Sequence, residues 1–164
     1  MTSPSGSGKR IDAASRVIAA SVDTLYRAFV DAAAVASWLP PEGMKGHMHV
    51  FEPRAGGTYR MTLTYERPEH TAPGKTSANE DVVNGRFVEL VPNERVVQRF
   101  EFESDDPAFA GTMTMTWKLT PTPGGTEVSV ICENVPEGVR QEDHIAGLTS
   151  TLANLAAFVE SSTR

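Results

Sequence analysis

Cysteine is nearly absent from this chain, with Cys132 the only one among 164 residues. A single cysteine excludes an internal disulfide and every metal site built on paired cysteines. Such a chain suits a reducing compartment. The first segment, 1–9, is rich in serine and glycine and contains no apolar run, so no signal peptide is expected. A cytoplasmic location is therefore the expectation.

Clustered positive charge and long apolar runs are also missing. The chain has 15 Lys and Arg against 21 Asp and Glu, a formal net charge of −6. Nucleic acids and anionic membranes attract clustered positive charge, so neither is expected as a partner. No stretch approaches the roughly 18 apolar residues of a membrane span. The chain also lacks a nucleophile elbow, a phosphate-binding loop and a dinucleotide fingerprint, so no cofactor is expected.

The first part of the chain predicts a tail, a strand and two helices. Residues 1–9 offer nothing to offset the entropy of ordering and are expected to be a disordered tail, with one domain over 10–164. A strand is predicted over 10–20. Ser21 is a good N-cap for a helix whose apolar residues recur at intervals of three and four. An alanine-rich second helix, 32–37, is predicted to end before the proline pair at 40–41.

The middle of the chain, 43–133, alternates apolar and polar residues with a period of two. This pattern is typical of antiparallel strands that have one covered face and one solvated face. Two glycine pairs, at 56–57 and 124–125, and the Pro-Asn pair at 92–93 predict tight turns between the strands. The stretch 66–79 reads as a long loop.

A final helix is predicted over 141–161, with apolar residues at spacings of three and four. One sheet with a solvated face must cover its other face, and this helix is the only long one available. The sequence therefore predicts an α+β fold. A curved antiparallel sheet of about six or seven strands wraps around the long C-terminal helix, and two short helices follow the first strand.

Four local motifs add a resemblance to a known family. They are FEPRAGG at 51–57, GRFVELVPNERVV at 85–97, GGTEV at 124–128 and HIAGL at 144–148. Together with the order of elements, they resemble proteins similar to the activator of the ninety-kilodalton heat-shock protein ATPase, in the START-like (SRPBCC) superfamily. The resemblance covers about residues 11–160 and implies the helix-grip fold. Leu148 stands where that family usually has tryptophan.

The implied architecture suggests an internal cavity, because a long helix need not touch a curved sheet everywhere. Small-molecule sites are usually such cavities, mostly apolar with a few polar groups. Gln98 is the polar member of the expected lining. The same side chains could equally form an ordinary packed core. The candidates for the ligand cavity are Trp38, Tyr59, Met61, Leu63, Phe87, Gln98, Phe100, Met113, Met115, Trp117, Leu148 and Leu152.

Few polar residues stand out as candidates for chemistry. His47 and His49 share a strand face, but no third ligand has a fitting spacing, so they are expected to be exposed and no metal is predicted. Glu52 and Arg54 flank a glycine hairpin; they lie either at the mouth of a pocket or in a surface pair that stabilises the turn, and the surface pair is expected. His144, near the start of the last helix, is the one weak catalytic candidate. It is either a general base at the cavity or a residue at the helix edge.

Three functions remain open from the sequence. The leading hypothesis is binding of a small hydrophobic molecule in the cavity, with no assigned catalysis. The resemblance also implies two alternatives. One is an enzyme of cyclase, dehydratase or hydrolase type acting on a polyketide-like substrate. The other is a chaperone-partner module in a stress response. A homodimer through the outer face of the sheet is left open.

Overall fold

The computed structural model describes residues 10–66 and 80–162. The expected tail at 1–9 and nearly all of the expected 66–79 loop lie outside these residues. The described strands form one seven-stranded antiparallel sheet in the order β1-β7-β6-β5-β4-β3-β2. Their bounds are β1 Ile11–Ile18, β2 Met44–Phe51, β3 Thr58–Tyr65, β4 Glu80–Val91, β5 Arg95–Phe102, β6 Met113–Thr122 and β7 Gly125–Glu133. The predicted fold class is confirmed.

Strand β1 is shorter than predicted and uses its apolar residues differently. Ile11 and Val17 lie on the exposed face, with 55% and 53% of their surface accessible, whereas Ile18 is fully buried. Successive side chains of a strand point to opposite faces. Asp12 therefore shares the inner face with Ile18, and its accessible fraction is only 1%. The first strand thus brings a carboxylate to the inner face of the sheet.

Two short helices follow β1, as predicted. In α1, Val22–Phe29, the Ser21 hydroxyl accepts a hydrogen bond from the Thr24 backbone N–H at 3.1 Å. In α2, Ala32–Trp38, the Asp31 carboxylate accepts one from the Ala34 N–H. These side chains satisfy N–H groups that have no partner inside a helix. The proline pair after α2 then directs the chain into β2.

The long helix α3, Gln141–Ser162, packs on the sheet with the predicted apolar seam. Leu148, Leu152, Leu155 and Val159 are buried, whereas Ile145 at the start of the seam is 36% exposed. The predicted seam is therefore complete only from the second turn onward. Within the described residues, no helix combines the length and the apolarity needed to cross a membrane.

Side chains of α3 also hold the segment that leaves α2. The Thr151 hydroxyl donates a hydrogen bond to the Leu39 carbonyl at 2.8 Å, and the Asn154 amide donates one to the Pro40 carbonyl at 2.9 Å. The Ser150 hydroxyl accepts one from the Glu42 N–H at 2.9 Å. These three bonds fix residues 39–42 beside the middle of α3, and so define one wall of the space beneath the helix.

Candidate ligand cavity and its histidine–aspartate pair

A cavity of about 480 Å³ lies between the N-terminal half of α3, the segment 39–42 and the inner faces of β2 to β6. Small-molecule sites typically span about 300–1,000 Å³ and are lined mainly by apolar side chains. Most of the wall here is apolar, with aromatic rings and methionines facing one another across the space. The volume and the lining both match a site for a molecule of modest size.

Most of the predicted lining residues border this cavity. They come from β3, β5, β6 and α3, and their strands pair in a register that keeps them on one face. The set comprises Tyr59, Met61, Leu63, Gln98, Phe100, Met113, Met115, Trp117 and Leu148. None of the side-chain hydrogen bonds described for residues 10–66 and 80–162 involves Gln98. Its amide is a polar group on a cavity wall that is otherwise mostly apolar.

Three predicted lining residues pack into the core and do not border the cavity. Phe87 is fully buried against the rings of Phe51 and Tyr59, at centroid distances of 5.5 and 5.4 Å. Leu152 is buried in the seam of α3, one turn after the lining residue Leu148. Trp38 is 2% exposed. Alternation and helical spacing identify an inner face, but not which inner side chains meet a void.

Trp38 anchors an aromatic cluster at the end of α2. Its indole N–H donates to the Ala28 carbonyl at 3.0 Å. Its ring lies edge-on to Phe29 and Trp117, at centroid distances of 5.0 and 5.5 Å. Edge-to-face pairs contribute about 0.5–1.5 kcal/mol beyond the burial of their area. Trp38 therefore packs the two short helices against the sheet. Trp117 belongs both to this aromatic cluster and to the cavity wall.

The inner face is shaped by one glycine. Gly85 on β4 pairs with Tyr59 on β3, and a Cβ at Gly85 would collide with the Tyr59 ring. The ring therefore lies across the bare backbone of the neighbouring strand. Burial raises the pKa of Tyr59 strongly, with a smaller effect from Cys132. Tyr59 thus borders the cavity as a neutral phenol.

Several lining residues were missed from the sequence. Val83 and Phe102 follow the alternation of their strands and could have been found by extending it. Phe51 borders the cavity because an irregularity between Met48 and Val50 shifts the alternation of β2, which the sequence does not show. Polar residues form a second missed group, and most of them come from loops or from the exposed side of a helix pattern, where the sequence gives no signal. They are Glu42, Tyr65, Asp81, Asp143, Ser150 and Thr151.

Tyr65 lies on the part of the wall that carries acidic groups. Burial raises the pKa of Tyr65, and the negative charges of Asp81 and Asp143 raise it further. Its hydroxyl therefore stays protonated at neutral pH and remains a hydrogen-bond donor. Asp81 is 3% exposed and sits opposite Leu63 in the pairing of β4 with β3, which explains why it faces inward.

His144 borders the cavity and contacts a buried carboxylate behind it. Its Nδ1 lies 2.6 Å from Oδ2 of Asp12, and the accessible fractions of the two side chains are 16% and 0%. The two residues are 132 positions apart in the chain. No sequence spacing could have paired them, although the inward position of Asp12 follows from its alternation with Ile18.

Two further donors hold the Asp12 carboxylate. Arg10 donates to Oδ2 at 2.9 Å, and the Gln141 amide donates to Oδ1 at 3.1 Å. Burial by itself would raise the pKa of Asp12, but the hydrogen bonds from the His144 and Arg10 side chains and the positive charge of Arg10 outweigh it and lower the pKa. Asp12 is thus an ionised carboxylate with a fixed orientation.

The remaining polar candidates lie away from the cavity. His47 and His49 are exposed, with ring centroids 4.6 Å apart, and His49 contacts the Thr62 hydroxyl. Within the described part of the chain, no three or more His, Cys, Asp and Glu residues are grouped so as to hold a metal ion. Glu52 accepts two hydrogen bonds from Thr58 and lies 3.9 Å from Arg54, so it stabilises the hairpin.

Comparison with known proteins gives the family. Residues 19–160 match the family described as Activator of Hsp90 ATPase homolog 1-like protein. Protein CV1439 from Chromobacterium violaceum is 33% identical over 92% of this chain and 96% of its own, with a TM-score of 0.80. The AHSA1-like protein from Aeromonas hydrophila shares the fold at 15% identity, covering 94% of each chain, with a TM-score of 0.69.

A third solved structure is DynU16, described with the dynemicin biosynthetic locus. It is 20% identical, with a TM-score of 0.65, and the match covers 93% of this chain and 48% of that chain. No curated protein matches this chain. The order of elements, the motifs and the match over most of the chain agree. The chain therefore belongs to the Activator of Hsp90 ATPase homolog 1-like family.

Proposed function

We propose that the protein binds a small hydrophobic molecule in the cavity beneath α3. The observation that carries the proposal is the cavity of about 480 Å³, walled by aromatic and methionine side chains. Apolar surface transferred from water into such a space gains about 25 cal/mol per Å². Methionine side chains adapt to guests of different shape. The inner face is thus built to favour an apolar guest.

The polar groups on the wall would orient that molecule. The Gln98 amide lies among apolar neighbours, and the Tyr65 hydroxyl and His144 imidazole border the same cavity. A buried polar group without a partner costs about 1–3 kcal/mol in proteins. A guest that carries a carbonyl or hydroxyl group would give the Gln98 amide a hydrogen-bond partner. We therefore expect an apolar molecule with a few oxygen atoms to bind better than a plain hydrocarbon of the same size.

The binding proposal is tested with N-phenyl-naphthylamine, a neutral apolar dye that fluoresces when it leaves water. We expect saturable fluorescence and quenching of Trp117 on the cavity wall. At a free concentration 100 times Kd, binding should stabilise the fold by about 2.7 kcal/mol. At roughly 2–4 °C per kcal/mol for a chain of this size, the melting temperature should rise by about 5–11 °C.

A matched pair of variants locates the bound dye. Leu63→Trp adds bulk on the inner face of β3 and should weaken dye binding at least tenfold. Thr64→Trp adds the same bulk to the next residue, which points to the other face, and should leave binding unchanged. The proposal fails if the dye and a panel of apolar carbonyl compounds give no melting shift, or if both variants bind as the unmodified protein does.

The two alternatives from the sequence differ in their support. The contact between His144 and Asp12 supports the hypothesis of an acid–base enzyme acting in the same cavity. A chaperone-partner role is supported only by the family description. The turnover of the Hsp90 ATPase, measured with and without this protein, would decide that role.

A further inference from the structure

The His144–Asp12 pair has the geometry of an oriented base. An ionised carboxylate can only accept hydrogen bonds. Because Oδ2 of Asp12 lies 2.6 Å from Nδ1 of His144, Nδ1 carries a proton and donates a hydrogen bond to Asp12. In the neutral form of this ring, the basic nitrogen is Nε2. The partner at one ring nitrogen fixes the tautomer and the orientation of the ring.

The carboxylate in this pair is itself held in place. Arg10 donates to Oδ2 and Gln141 donates to Oδ1, and the Asp12 side chain has no solvent exposure. A carboxylate fixed behind a histidine in this way stabilises the imidazolium formed when the ring takes up a proton. His144 in turn borders a cavity suited to apolar molecules. The basic group and the apolar space therefore share one wall.

We propose that His144 is a catalytic base that removes a proton from carbon in an apolar carbonyl compound bound in the cavity, with Asp12 as its positioning residue. The inference rests on the proposed binding function. The substrate class follows from the surroundings: the wall favours an apolar body, and a C–H next to a carbonyl and a conjugating double bond is the most acidic C–H that such a molecule carries.

The reaction balances without a further reactant. The substrate carries a C–H between its carbonyl and a carbon–carbon double bond; that C–H breaks, its proton passes to Nε2, its electron pair forms a new carbon–carbon double bond, and the carbonyl π pair moves to oxygen, which gives a dienolate. The imidazolium, held by Asp12, then returns the proton to the far carbon of the original double bond, and the carbonyl re-forms. The product is an isomer of the substrate, and the neutral imidazole is restored.

The test uses a nitrobenzisoxazole, a small apolar aromatic compound that reports on bases. A base takes its ring C–H proton, the N–O bond breaks, and a coloured cyanophenolate forms. We expect saturable turnover by the full chain, faster than with free imidazole at the same concentration. His144→Gln keeps an amide that can donate to Asp12 and should lower kcat by about 10²-fold or more, while the dye of the binding test still binds.

Asp12→Asn tests the positioning role through the pH profile. We expect a lower kcat and a rate that reaches its plateau at lower pH, because the imidazolium loses its negative partner. Within residues 10–66 and 80–162, the other charged groups at this site are Arg10 beside Asp12, and Glu42, Asp81 and Asp143 on the cavity wall. All four stay unchanged in that variant. Asp23→Asn, on the exposed side of α1, is the control and should match the unmodified protein.

The outcomes separate this inference from the binding proposal. Dye binding with turnover no faster than free imidazole, or with His144→Gln as active as the unmodified protein, overturns the catalytic role and leaves the binding role standing. Absence of dye binding overturns both. If His144→Gln does not fold, the pH profile of the unmodified protein against Asp12→Asn decides, because identical profiles would contradict a base positioned by Asp12.

Discussion

Replacement of Asp12 by alanine should destabilise the fold more than replacement of any surface carboxylate by alanine. The side chain is fully buried and accepts hydrogen bonds from His144, Arg10 and Gln141. Removing one partner of a buried charged network costs about 3–5 kcal/mol. His144 and Arg10 retain 16% and 26% exposure, so water can partly replace the lost bonds. We therefore expect a loss of about 3 kcal/mol, at the lower end of that range.

The assay is urea unfolding at pH 7, monitored by the fluorescence of Trp38 and Trp117. A loss of about 3 kcal/mol corresponds to a melting temperature lower by roughly 6–12 °C. The control is Asp23→Ala, whose carboxylate forms an exposed i,i+4 pair with Arg27. It should change stability by no more than about 0.5 kcal/mol. Equal effects of the two substitutions, or a loss below 1 kcal/mol for Asp12→Ala, would refute this account of the buried carboxylate.

The same contacts predict how acid affects the fold. The pKa of Asp12 is lower in the folded protein than the ordinary value. The unfolded state therefore takes up a proton first as the pH falls, and stability declines. The contribution of Asp12 is complete above its unfolded pKa of about 3.9 and is lost as the pH falls through the folded value. The stability difference between the unmodified protein and Asp12→Ala should accordingly shrink below about pH 4.

Three further predictions concern single side chains. Gly147 lies inside α3, where a Cβ would stand at an ordinary contact distance of 3.9 Å from Pro41 Cγ, so Gly147→Ala should stabilise the fold by about 0.5–1 kcal/mol in thermal unfolding; a loss would contradict the absence of a clash. Gly85→Ala should cost about 1–3 kcal/mol because the Tyr59 ring must move, whereas Gly124→Ala, at an open turn, is its control. Burial raises the pKa of the Cys132 thiol to about 12, so a thiol reagent at pH 8 should react only at the rate of unfolding; fast labelling of the folded protein would show that the thiol is accessible.

The elements of the fold were predictable because their signals are local. Ser21 as an N-cap, the prolines after α2 and the period of two through 43–133 each act within a few residues, and the structure follows them. The strand at 10–20 shows the limit of such reasoning. Its apolar residues Ile11 and Val17 lie on the exposed face, since a strand with few apolar residues does not by itself show which face is covered.

The cavity was predictable only as a class of feature. Alternation placed Met61, Leu63 and Met115 on the inner face, and they border the space. The same rule placed Phe87 there, yet it is packed solidly against Phe51 and Tyr59. Whether an inner side chain meets a neighbour or a void depends on the height of α3 above each strand. That height is set by contacts between distant parts of the chain.

The sequence by itself determined the α+β class, the order of strands and helices and the family, because periodicity, caps and turn residues act over short distances. Only the tertiary structure decided that a cavity of about 480 Å³ remains under α3 and that Asp12 lies against His144. The cavity depends on how the last helix lies over β2 to β6, and the Asp12–His144 contact depends on the packing of the first strand against that helix. The contact joins residues 132 positions apart and leaves no trace in residue spacing.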